Sequence, residues 1–74
     1  MDKITAERVE RLGRSANAAL NEALIIAQAN CTAEEFATLR SVVGRIMGAI
    51  VVDLIQPLYA EHPDITPPEL RSSE

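Results

Sequence analysis

The stretch from Glu34 to Tyr59, EEFATLRSVVGRIMGAIVVDLIQPLY, constrains the chain more than any other. Its periodicity is helical, and over its second half apolar side chains point in almost every direction. A helix that is apolar all round has to be covered, and a chain of 74 residues has little else to cover it with. Chains this short bury only about 60% of their unfolded surface and often add disulfides, metals or oligomerisation. Cys31 is the single cysteine, so no disulfide can close within the chain. Self-association is then the leading source of the missing stability.

Residues 5–29 read as a first helix. Val9, Leu12, Ala16, Ala19, Ala23 and Ile26 recur at steps of three and four, which places them in one stripe at about 100° per residue. Leu20, Leu24 and Ala27 widen it, and Glu10, Arg14, Asn17, Asn21 and Gln28 take the opposite side. The many alanines let a partner helix approach closely. Gly13 marks close packing or simple tolerance. Residues 30–32 form a turn, with Asn30 suited to a left-handed helix terminus. Thr32-Ala33-Glu34-Glu35 then has the spacing of a capping box, so a second helix starts at 33. A connection this short makes the two helices an antiparallel hairpin.

On helix two, Phe36, Leu39, Val43, Ile46, Ile50 and Leu54 form the face expected against the stripe of helix one. Met47, Val51 and Leu58 widen that face on one side and Val42 on the other. Gly44, Gly48, Val52, Ile55 and Tyr59 carry the apolar surface round towards the back. One partner helix cannot cover such an arc, whereas two hairpins together can. The expected fold is all-α: a hairpin over residues 1–62, with helices 5–29 and 33–61, paired into a homodimeric four-helix bundle. Expected at the dimer interface are Leu39, Val43, Gly44, Ile46, Met47, Gly48, Val51, Ile55 and Tyr59. Gly44 and Gly48, one turn apart, would allow close helix contact there.

Pro57 has no N–H and clashes with the carbonyl of Asp53, which predicts a kink in helix two. His62-Pro63 ends the helix. Residues 63–74 are proline-rich and acidic and read as an extended tail, with a short turn through Leu70 and no order expected from Arg71 to Glu74. Ile65 and Leu70 would either strap the tail onto the bundle or offer it to a partner.

The formal net charge is −4, against the basic patch that nucleic-acid binding requires. Phe36 and Tyr59 are the only aromatics, too few for base stacking. Arg45 and Asp53 bracket the most apolar run, which leaves it far short of the roughly 20 apolar residues of a membrane span. A lone cysteine and an N-terminus without the pattern of an export signal suggest the cytoplasm. Asp53 and Arg40 are candidate buried charges on the apolar arc, each more simply read as a structural ion pair or a snorkelling side chain. No histidine, serine or second carboxylate stands beside Asp53 at helical spacing. His62 and Cys31 fall at opposite ends of the hairpin and cannot share a metal. No catalytic, cofactor or phosphate-binding signature is present.

The function expected is that of a small non-enzymatic interaction protein: an adaptor, regulator or assembly factor that pairs with itself and meets other proteins through its helix faces or tail. An alternative is a nucleic-acid-associated regulator using Lys3, Arg8, Arg11 and Arg14. A remoter one is a small enzyme with Asp53 and Arg40 in a pocket between protomers.

Overall fold

The computed structural model describes residues 1–70, the side chain of Leu70 excepted, so the expectation for residues 71–74 lies outside the described residues. Helix α1 runs Lys3–Asn30. It begins earlier than its apolar periodicity suggests because Asp2 caps it, its side chain accepting from the Thr5 N–H at 3.3 Å. At the far end Asn30 stays helical and its side-chain amide donates to the Ile26 carbonyl at 2.9 Å. Asn30 thus closes the helix through its side chain and needs no left-handed backbone: among the described residues no non-glycine residue has positive φ.

Helix α2, Ala33–Ala49, starts on the capping box read from the sequence: the Glu35 N–H donates to Thr32 Oγ1 and the Thr32 N–H to Glu35 Oε1. Residues Ile50–Ile55 widen into a π-helical segment, and helix α3, Gln56–Glu61, follows it directly. In the π segment the Gln56 N–H donates to the Val51 carbonyl, five residues back. The wider turn directly precedes Pro57, whose ring would otherwise press on the Asp53 carbonyl. The π segment stands just before Pro57, where the kink was expected.

The two long helical runs lie antiparallel. Tyr59 reaches Glu10, Asn17 donates to the Met47 carbonyl at 3.4 Å, and the α-amino group of Met1 meets Glu61 at 3.0 Å. The described chain is all-α and hairpin-like. The described part of the tail is not extended: Pro63–Ile65 and Pro68–Leu70 are single 3₁₀ turns, where the fixed φ of proline suits the first helical position. Ile65, Thr66 and Pro67 are half-buried, and Asp64 pairs with Lys3 at 2.7 Å. The described part of the tail therefore folds back on the chain.

The contact line differs from the expected one by a single residue. On α1 it follows Ala6, Glu10, Gly13 and Ala27, which are buried, and Asn17, Leu20 and Leu24, which are half-buried. The stripe through Leu12, Ala16, Ala19, Ala23 and Ile26 is exposed instead, Leu12 by 65% and Ile26 by 59%. The reason is steric. Ala6, Gly13 and Ala27 let the helices approach, and a Cβ on Gly13 would already lie 3.2 Å from Leu54 Cδ2 and 3.3 Å from Ile55 Cγ1.

On the second run, Phe36, Val43 and Met47 face α1 before the π segment, Ile50 and Ile55 at its two ends, and Leu58 after it. The step of five from Ile50 to Ile55 is the inserted residue. Ile55 is buried and Leu54, next in the α pattern, is 39% exposed.

Candidate functional site

Three regions of this fold could do work: a buried polar cluster, a cleft beside it, and an uncovered apolar face. The cluster centres on Glu10, which is only 3% exposed although its place in the sequence pattern is on the polar side of α1. A buried carboxylate needs donors. Tyr59 donates its hydroxyl to Glu10 Oε2, and Arg14 Nε lies 2.7 Å from the same oxygen, one turn along α1. Burial, and then the Glu10 carboxylate, push the Tyr59 phenol up to about 12. The π segment makes this possible, because without the inserted residue Tyr59 would sit about 100° further round the helix. Asn17, also in the contact line, keeps one buried oxygen without a partner.

Beside the cluster lies an open cleft of ≈ 460 Å³ lined by Arg14, Asn17, Val51, Ile55, Tyr59 and Thr66, with Gln56 at its edge. Among the described residues no three histidine, cysteine, aspartate or glutamate side chains gather as metal ligands. At the ends of the runs, His62 Nε2 lies 2.9 Å from the Met1 carbonyl and 3.1 Å from Glu61 Oε1. The N-terminal amine holds Glu61 below the usual carboxylate range, and Lys3 does the same for Asp64. Lys3 and Arg14, two of the four cations expected to make a basic end, are thus bound to carboxylates.

Of the residues expected to meet a second copy, Val43 and Ile55 are buried within the chain, and Met47 and Tyr59 are half-buried there. Leu39, Gly44, Ile46, Gly48 and Val51 are exposed. A Cβ added at Gly44 or Gly48 would meet nothing within 4 Å, so the close approach belongs to Gly13. Arg40 and Asp53, the charges expected to be buried, are both exposed in the single chain. Glu10 is the charge the chain hides.

The uncovered face follows from the one-residue offset. On α1 an outer row, Leu12, Ala16, Ala19, Ala23 and Ile26, precedes the contact line by one residue at every step. On α2 Val42, Ile46 and Ala49 precede Val43, Met47 and Ile50 in the same way, and Leu39 continues the row. One residue is about 100° of helix. Because the helices are antiparallel, this rotation runs in opposite senses on the two when both are viewed from one end. Both outer rows therefore lie on the same side of the pair and form one apolar face.

The run Ala33–Glu61 also reaches, by length and mean hydropathy (1.5 over 18 residues), what a membrane-crossing helix needs. Averaging over that length dilutes Arg45 and Asp53, the two charges that bracket its most apolar run. Comparison of the chain with protein-family models, with curated proteins and with solved structures finds no match.

Proposed function

We propose that this chain is a small non-enzymatic cytoplasmic interaction protein that works as a homodimer, two hairpins forming a four-helix bundle. It would serve as an adaptor, regulator or assembly factor. The observation that carries the reading is the uncovered apolar face: Leu12, Ile26, Leu39, Val42 and Ile46 are 36% to 65% exposed in the single chain. Contiguous apolar surface of this kind marks an interaction site. The pair of helices measures 44 × 27 × 16 Å, a slab one helix thick with no second layer. A side of that length and width has room for the approximately 800 Å² per partner of a stable interface.

A bilayer is the competing cover, on the strength of the run Ala33–Glu61. It fits less well, because α1 lies along that run and would carry Glu7, Arg8, Arg11, Arg14 and Glu22 into the hydrocarbon. The net charge of −4 also opposes attraction to anionic lipid. Nucleic acid is less favoured still, with Lys3 and Arg14 already paired.

Sedimentation of the full chain at tens of micromolar, with and without neutral phospholipid vesicles, tests this. The expected result is twice the chain mass and no movement with vesicles. A folded species of single-chain mass, or co-sedimentation with lipid, would overturn it.

A further inference from the structure

We infer that the second copy docks on the face made by the two outer rows, and not on the Gly44/Gly48 side that the sequence pattern favours. The inference rests on the self-association proposed above and names the surface that performs it.

The angle between rows selects the occupant. A helix in a square four-helix bundle meets two neighbours about 90° apart, whereas in a three-helix bundle the angle is about 60°. The rows on this chain are one residue, about 100°, apart on both helices. That spacing fits two more helices laid across the slab better than a single helix set into its groove. A second hairpin brings two.

The sizes of the side chains then orient it. The outer row of α1 is small at its centre, Ala16, Ala19 and Ala23, and the outer row of α2 is large, Leu39, Val42 and Ile46. A two-fold axis parallel to the helices lays α1 of each copy over α2 of the other. The Asn17–Met47 contact fixes the levels within a hairpin. At those levels Ile46 falls over Ala16 and Ala19, Val42 over Ala19 and Ala23, and Leu39 between Ala23 and Ile26. Ala49 of one copy falls beside Ala16 of the other, and Leu12 lies about one turn beyond it. Large side chains meet small ones over the middle of the seam, as dense packing requires.

Gly44 and Gly48 lie on the opposite flank of α2, towards Val51 and the cleft with Arg14, and stay outside this seam.

The test compares Ala19→Glu with Gly48→Glu in the full chain, following molar mass against concentration. Both positions are exposed in the single chain, so neither substitution disturbs its interior. Ala19→Glu should weaken association at least about 100-fold, because a carboxylate would be buried without a partner, while Gly48→Glu should leave it within about threefold. A labelling arm keeps the answer independent of how well Ala19→Glu folds. In a Cys31→Ser background, a thiol at Ala19→Cys should be shielded at tens of micromolar and become reactive on dilution, while Gly48→Cys reacts at one rate throughout. A dimer indifferent to Ala19→Glu, or a shielded Gly48→Cys, overturns this surface and leaves self-association standing. A single-chain mass for the unsubstituted protein overturns both.

Discussion

Glu10 is held inside the helix pair by one hydroxyl and one guanidinium. Replacing Tyr59 with Phe removes a donor from a buried carboxylate and should cost about 1–3 kcal/mol in urea unfolding. The same contact gives a pH signature. The folded phenol titrates near 12 against an ordinary 10, so its contribution is complete below about pH 10 and fades as pH rises towards 12. Stability measured across that window should fall more steeply in the native chain than in the Tyr59→Phe variant. The glycines make a second contrast. Gly48→Ala enters open space and should stabilise α2 by about 0.5–1 kcal/mol. Gly13→Ala meets Leu54 at 3.2 Å and the buried Ile55 at 3.3 Å, closer than ordinary contact. Crowding there should cancel or exceed the same gain, so Gly13→Ala comes out neutral or destabilising in thermal melts.

At the scale of elements, the all-α class and the capping box at Thr32 were legible in the sequence, because caps and the 3.6-residue period are local signals. The face of α1 that meets α2 was legible only at its edge, through Leu20, Leu24 and Ala27. Periodicity finds the most apolar row, Leu12 to Ile26 in steps of three and four, but the chain buries the row that allows closest approach and that pairs Glu10 with Tyr59. The π segment was legible only as strain at Pro57. An inserted residue leaves no mark on composition, and it exchanges Leu54 for Ile55 at the contact line. Alanine substitutions read this register directly. Ile55→Ala should cost about 2–5 kcal/mol and Leu54→Ala roughly 1 kcal/mol, the reverse of what an unbroken α pattern would give. The tail offers a further check. Removing residues 63–74 abolishes the Lys3–Asp64 pair and the cover from Ile65 to Pro67. The melting temperature should drop by about 4–8 °C, the shift of a 1 kcal/mol loss in a domain of this size, with molar mass unchanged. A tail that served only a partner would leave the melt where it was.

Taken whole, the molecule is a thin slab with an apolar face uncovered on one broad side. Its interior is made largely of alanine, glycine and a few large side chains: Ala6, Gly13, Ala27, Val43, Ile55 and Leu58 are buried, and among the described residues no large side chain is fully so. Such a core contributes little hydrophobic stabilisation for its length. Doubling the slab adds the second layer that domains normally possess, and folding and association then become one equilibrium. The most direct measurement is molar mass across a dilution series from tens of micromolar to tens of nanomolar, with the helical circular dichroism signal followed on the same samples. The expected result is a dimer at the top of the series whose helical signal falls as it dissociates. A single-chain mass throughout, with the helical signal undiminished, would contradict the account.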